Sequence, residues 1–393
     1  MRLIPESFKN EISIRIEKIQ NEMQKSDCQT LLIGSNPNIY YCSGNVYRGY
    51  VFIPQVGKPL WFVIKPQTYD KSPDLFFIRK PEDIPQILRE LNVTEINSIG
   101  LEENELSYVD IIRLKNLFTE SKLINGSPIL KNARKIKTLW EINEMRIDGY
   151  HHAKVYEKVK DCYKPGMTDL QLQIEIERHL RLEGSIGISR VAGNFMEINL
   201  GSVISGDNAD HPGPYEFTMG GSGNHPALPV GADNSLIKDG QTVMIDMNGA
   251  FNGYQTDMTR VWSLGETSEL AYKAHNCSID ILRCLEKISL PGLPVKKLYE
   301  TALEIVAEKN LNAYFMGHES QVSFIGHGIG IELNELPVIN SKSKDILEAG
   351  MTLAIEPKFV IPHVGAVGVE NTYVVTEKGL ENLTVFPEEI QMF

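Results

Sequence analysis

At 393 residues, with 42% apolar and 23% charged residues, the chain has the composition of a soluble globular protein and the length for two domains of ordinary size. A net charge of -12, with neither lysine nor arginine clustered, excludes nucleic acid and anionic membrane surfaces as expected partners. Five scattered cysteines point to reduced thiols, and with no membrane span and no apolar stretch in the opening ten residues a cytoplasmic location is expected.

Phe8, Ile12, Ile16, Ile19 and Met23 recur at helical spacing and predict a helix over 6–25. The runs at 30–34, 40–44, 50–54 and 60–65 read as sheet strands separated by turn residues. Segments 84–91 and 108–118 read as helices, with a strand at 98–101 between them. Residues 1–130 are thus expected to form a small α/β domain without a catalytic cluster of its own. A basic connector over 133–146 reads as a solvated linker that feeds a helix, with Thr138 as N-cap and Glu141 three residues on.

From there an internal repeat emerges. Helices over 142–163 and 170–183 flank Pro165-Gly166, and helices over 268–288 and 297–309 flank Pro291-Gly292. Cys277 and Cys284, seven residues apart, share one face of the third helix and read as core packing. The glycine- and proline-rich stretch 184–240 reads as loops over a site. Each helix pair leads into strands that carry two acids: Asp246 and Asp257 in the first half, Glu356 and Glu370 in the second. A duplicated unit related by a pseudo-twofold would bring all four to one central point.

The first acid pair is the most informative stretch. Residues 243–248 and 254–262 read as two strands joined by a turn at Asn252-Gly253, each carrying one aspartate. A carboxylate in an apolar strand costs several kcal/mol unless a cation meets it, so two of them across a hairpin call for a cation between them. Downstream stand Gly326-His-Gly-Ile-Gly330, Ile355-Glu-Pro357 and Val369-Glu-Asn371. Asp246, Asp257, His327, Glu356 and Glu370 form a ligand set suited to manganese, cobalt, iron or zinc. The glycines around His327 lack the spacing and the βαβ context of a phosphate cradle and read as room for close backbone approach.

These acids and the histidine in this order, with Gly253-Tyr-Gln-Thr-Asp-Met-Thr-Arg260, resemble the superfamily of methionine aminopeptidase, prolidase and aminopeptidase P, whose fold is the pita bread. Residues 1–130, with Asn38-Ile-Tyr-Tyr-Cys-Ser-Gly44, resemble the N-terminal domain of creatinase and the prolidases. The resemblance implies an α/β N-terminal domain over 1–130 and an α+β pita-bread catalytic domain over 131–393 with internal pseudo-twofold duplication. It further implies two divalent ions, manganese first and cobalt, zinc or iron next, bridged by Asp246 and Glu370. Asp257 would chelate one ion and His327 with Glu356 the other, with Glu356 also the candidate general base for a bridging hydroxide. A homodimer and a small peptide substrate of the Xaa-Pro type are implied as well. The alternative is a member of the fold that is not a peptidase: a creatinase-like hydrolase or a peptide-binding pseudo-enzyme.

Three positions depart from the family pattern. Val230 and Asn334 stand where histidines are usual, and Gly368 stands where an arginine is usual. His225 or His211 could swing in to replace the missing imidazole, or either could be a solvated loop residue. Asn334 and His363 are candidate substrate contacts. Thr259 and Arg260 read either as supports of the acids or as ordinary strand-end packing.

Overall fold

The computed structural model describes residues 3–4, 6–193 and 196–393; the readings made above at Met1, Arg2, Pro5, Asn194 and Phe195 lie outside them. The chain divides into two compact units, Met1–Arg134 and Lys135–Phe393.

The first unit runs α1 (Lys9–Gln24), β1 (Thr30–Ile33), α2 (Asn36–Ser43), β2 (Arg48–Pro54), β3 (Leu60–Lys65), β4 (Leu75–Phe77), α3 (Ile84–Glu90), β5 (Ser98–Leu101), α4 (Tyr108–Lys115), β6 (Lys122–Asn125) and α5 (Ser127–Lys135). Its six strands lie in the order β4-β3-β2-β1-β5-β6, parallel except where β2 pairs with β1 and β3. One expectation is corrected here. Tyr40-Tyr-Cys-Ser, read as a strand, forms the end of α2. The helix starts at Ser35 in extended conformation with Pro37 in its first turn and stops at Gly44 with φ 72°, a start and stop pair that outweighs the β propensity of two tyrosines. The buried Glu102 carboxylate accepts the Gly34 and Ser35 amides at that N-terminus, where a negative charge is favoured.

The second unit begins with α6 (Leu139–Tyr156), closed by a capping box between Thr138 and Glu141. The basic segment before it is not a solvated linker. Arg134 is buried and donates to Asn38 Oδ1 at 3.0 Å, and Lys137 pairs with Glu335 at 2.9 Å. There follow α7 (Val159–Cys162), α8 (Asp169–Glu183), β7 (Gly201–Ser205), β8 (Thr242–Gly249), β9 (Thr256–Ser263), α9 (Glu269–Ile288) and α10 (Lys296–Glu308). Strand β7, inside the stretch read as loop, pairs antiparallel with β8 and was not foreseen. The chain closes with β10 (Phe324–Gly328), β11 (Glu335–Asn340), β12 (Thr352–Ile355), β13 (Lys358–Ile361), β14 (Gly365–Gly368), β15 (Asn371–Thr376), β16 (Gly379–Asn382) and β17 (Gln391–Met392).

The predicted repeat is present as element order: two helices, then antiparallel strands bearing acids, twice. Helices α6 and α8 bury Val155, Tyr156, Leu172, Ile176 and Leu180 against the sheet β17-β9-β8-β7. Helices α9 and α10 bury Ala274, Ile281, Leu285, Leu298 and Val306 among residues of the sheet β11-β10-β12-β15-β16 and of the hairpin β13-β14. Cys277 lies in that core and Cys284 is half-buried on the same helix. An antiparallel bridge between Thr259 and Glu370 joins the two sheets, so the acids of both halves meet where the halves meet.

Candidate metal centre

In the hairpin β8-β9, Asp246 lies opposite Thr259 and Asp257 opposite Asn248, a diagonal placement that puts both carboxylates on one face. The turn carries the expected positive φ at Gly253, 95°. It is tied down from below by Asp148 of α6, which accepts the Phe251 amide at 2.6 Å and the Thr256 hydroxyl at 2.9 Å. His152 Nδ1 lies 3.1 Å from the same hydroxyl. Burial pushes the Asp148 carboxyl up to about 7 and the His152 imidazole down to about 3, so both favour their neutral forms inside the fold.

The second half supplies the other groups. His327 in β10 is held in register between Val338 and Ala354. Its Nδ1 lies 3.0 Å from the Gly328 carbonyl, which places the ring proton there and leaves the Nε2 lone pair 3.7 Å from Glu356 Oε1. Glu356 follows β12 and Glu370 precedes β15. The Thr259 hydroxyl donates to Glu370 Oε2 at 2.7 Å, which fills the supporting role considered for it. Arg260 does something else: its buried guanidinium donates to the carbonyls of Thr259, Glu370, Thr384, Phe386 and Pro387 and to Asn371 Oδ1, fastening the C-terminal segment to β9 rather than neutralising the acids.

A further residue stands in the middle of these groups and was missed. Lys358, 0% exposed, directs Nζ to Asp246 Oδ2 and Glu356 Oε2 at 2.8 Å, to Glu370 Oε2 at 2.9 Å and to Thr218 Oγ1 at 3.1 Å. Thr218 in turn donates to Glu356 Oε2 at 2.7 Å. Burial disfavours the ammonium, but the carboxylates of Asp246, Glu356 and Glu370 together outweigh it and hold its pKa well above the ordinary lysine range. Burial, reinforced by carboxylate neighbours, pushes Asp257 and Glu370 well above the ordinary range for acids. Every residue of 351–361 is buried, so a lysine in that apolar run is as conspicuous as Asp246 in its strand and calls for the same question. Across the β13-β14 pair, Lys358 faces Gly368, at φ 144°. A Cβ there would meet the Pro357 carbonyl at 2.7 Å and Lys358 Cα at 2.9 Å.

The four acids and His327 therefore do converge, in two clusters that share Glu370: Asp257, His327 and Glu370 in one, Asp246, Glu356 and Glu370 in the other. This grouping differs from the expected one, in which His327 served with Glu356. The first cluster suits a divalent ion of the borderline kind, offering one imidazole and two carboxylates. Asp257 Oδ1 and Glu370 Oε1 are buried there without a hydrogen-bond partner among the described residues, an arrangement that costs several kcal/mol unless a cation offsets it. The second cluster does not fit a divalent ion, because the Lys358 ammonium lies at hydrogen-bond distance from one oxygen of each of its three acids.

The centre opens on a cavity of about 390 Å³. Asp246, Asp257, His327 and Glu356 form its polar end; Met196, Ile198, Phe217, Phe324, Leu333 and Val338 form apolar walls. Asn334 also lines it, but both ends of its amide are engaged by Ala192, accepting its N–H at 2.7 Å and donating to its carbonyl at 2.9 Å, so it holds a loop. The remaining candidates are not brought to the cavity. His211 and His225 are exposed, with His225 Nδ1 accepting the Ala227 amide, and the His363 side chain is 91% exposed beside Asp207. Val230, at the position of the family's histidine, is buried.

Comparison with known proteins agrees with this architecture. Residues 15–136 match the Creatinase/Prolidase N-terminal domain, and residues 143–377 match Metallopeptidase family M24. The Xaa-Pro dipeptidase of Pyrococcus horikoshii is 26% identical over 379 residues, covering 96% of this chain and 98% of that protein. Among solved structures, the prolidase from Pyrococcus horikoshii superposes with a TM-score of 0.76 at 22% identity, covering 96% of this chain and 99% of that one. The X-Pro aminopeptidase from Thermotoga maritima superposes with 0.78 at 21%, with the same coverage. With more than half its length matched by the catalytic domain, the chain belongs to metallopeptidase family M24 and is a hydrolase of the pita-bread fold.

Proposed function

We propose that the protein is a metal-dependent exopeptidase that hydrolyses the N-terminal peptide bond of Xaa-Pro dipeptides or short Xaa-Pro peptides. The observation that carries this reading is the convergence of four acids and one imidazole, of which Asp246, Asp257, His327 and Glu356 line a cavity whose size suits a small peptide. The substrate class comes from relatives that bear the name Xaa-Pro dipeptidase. Of the two divalent ions implied by the resemblance, one is assigned to Asp257, His327 and Glu370, with manganese the first to test and cobalt, zinc and iron after it. A divalent ion held there supplies a Lewis acid that polarises a carbonyl and acidifies water.

The protein's own residues supply the rest. Glu356 Oε2 already accepts from Thr218 and Lys358, which leaves Oε1, facing His327, as the oxygen able to take a proton from the attacking water. The apolar walls around Phe217, Phe324 and Leu333 offer a dry surface for a proline ring and limit competing water. Among the described residues no helix is long and apolar enough to cross a membrane. A cytoplasmic homodimer belongs to the same proposal, to be checked by light scattering of the purified protein and by fractionation of the producing cells.

Lys358 favours a second reading, a member of the fold that works without metal, either as a creatinase-like hydrolase or as a peptide-binding module. One assay separates the two. Cleavage of an Xaa-Pro dipeptide, an Xaa-Ala dipeptide and an Xaa-Pro tripeptide is followed after dialysis against chelator and after addition of manganese. Metal-restored cleavage that prefers proline is the expected result; peptide binding without cleavage in either state would replace the proposal with the second reading.

A further inference from the structure

We propose that the Lys358 ammonium permanently replaces one of the two cations of the centre, so that the protein takes one divalent ion per chain, held by Asp257, His327 and Glu370. The inference rests on the reading of the centre as a metal site and narrows it.

Three observations support it. First, Nζ touches one oxygen of each of Asp246, Glu356 and Glu370 at 2.8 to 2.9 Å, and these are the three residues of the second cluster. An ion bound to those oxygens would sit at about 2.0–2.6 Å from them and so claim the volume the ammonium fills. Second, the lysine has no room to withdraw. It opens strand β13, its side chain is 0% exposed, and Thr218 fixes it from a fourth side. Third, the buried carboxylate oxygens without a hydrogen-bond partner among the described residues, Asp257 Oδ1 and Glu370 Oε1, are on residues of the first cluster, and the oxygen of the shared Glu370 that Lys358 holds is the other one, Oε2.

Gly368 completes the arrangement. It is the cross-strand partner of Lys358, and a Cβ at that position would press on Lys358 Cα, so the strand that carries the lysine needs a glycine opposite it.

The test is a metal count on the full-length protein, stripped by chelator and reconstituted with manganese, combined with its electron paramagnetic resonance spectrum. The expected result is one ion per chain with the signal of an isolated Mn(II). Lys358→Gly is expected to raise the count to two and to produce the signal of a magnetically coupled pair. Asp257→Asn in the original background is expected to lower the count to zero without lowering the melting temperature. Should Lys358→Gly fail to fold, the original protein and Asp257→Asn still decide the matter. Two ions in the original protein overturn the inference, and so does no ion. Peptide cleavage measured on the same samples keeps the two proposals apart. One ion without cleavage leaves the inference standing and removes the proposed activity; two ions with cleavage does the reverse.

Discussion

Glu370 divides its two carboxylate oxygens between two environments: Oε2 is gripped by Lys358 at 2.9 Å and by Thr259 at 2.7 Å, while Oε1 is buried with no hydrogen-bond partner among the described residues. One carboxylate thereby serves as the seam between a built-in cation and a cluster that calls for an added one. The orientation of that group depends on its two donors, of which the threonine can be changed without disturbing the charge.

Replacing Thr259 with valine removes the 2.7 Å bond and keeps the side-chain volume. Manganese affinity is expected to fall about 10- to 100-fold, with a stability loss of about 1 kcal/mol. A competition titration against a metal-chelating dye, run beside a thermal melt, reads both. Unchanged affinity would show that Lys358 alone sets the carboxylate.

Thr218→Val acts on Glu356 instead, removing the donor at 2.7 Å from Oε2. Peptide turnover is expected to fall about tenfold or more through kcat, since the base loses its orientation while the cavity walls stay in place. A fall carried by KM alone would argue against Glu356 as the base.

Asn334→Ala releases Ala192 from its paired hydrogen bonds. The loop at 189–193 is expected to become more sensitive to proteases, and KM to rise several-fold with a smaller change in kcat. If Asn334 touched substrate directly, proteolysis would be unaffected while KM still rose.

Arg260 satisfies five buried carbonyls and one side-chain amide, so Arg260→Met leaves those acceptors bare. A loss of about 3–5 kcal/mol is expected, read as a lowered denaturant midpoint. A change below about 1 kcal/mol would mean that water can serve those carbonyls in its place.

His152 gives a pH signature. Its folded pKa is depressed to about 3, so the fold excludes a proton that the unfolded chain takes up below about 6.5. The stability difference between the original protein and His152→Asn is therefore expected to be level above pH 6.5 and to shrink by about 1.4 kcal/mol per pH unit below it, toward pH 3. Asp148, raised to about 7, runs the other way: its burial penalises the fold above about pH 4, most fully above pH 7, and is relieved on acidification. In the original protein the two slopes oppose each other between about pH 4 and 6.5, and the single variant exposes one of them. Parallel melting curves for both proteins across that range would contradict the buried assignment of His152.

The parts legible beforehand were those where one residue type is out of place in its surroundings. Asp246 and Asp257 in apolar strands, and glycines flanking His327, announce a charged centre because burial makes isolated carboxylates costly. Periodicity located α1, α6 and α8 to α10, with the last turn of the first long helix separating as α7. What escaped were features decided by partners distant in the chain. Tyr40 to Ser43 turn helical because Ser35, Pro37 and Gly44 frame them, while Glu102 charges the N-terminus from 67 residues beyond Ser35 in sequence. Arg134 and Lys137 look like linker residues until Asn38 and Glu335 bury them. Lys358 was legible in principle, but a basic residue next to a proline draws less notice than an acid.

The contact between Gly368 and Lys358 has a practical outcome for anyone reshaping this centre toward its relatives. An arginine grafted at 368 would collide with the Pro357 carbonyl and the Lys358 backbone whatever side chain stood at 358, and removing the lysine leaves three acids that a second added cation must serve. Position 368 is thus closed to side chains by the backbone beneath it, whereas position 358 is open to exchange once a second divalent ion is supplied along with the variant, so scanning without added metal would misjudge it.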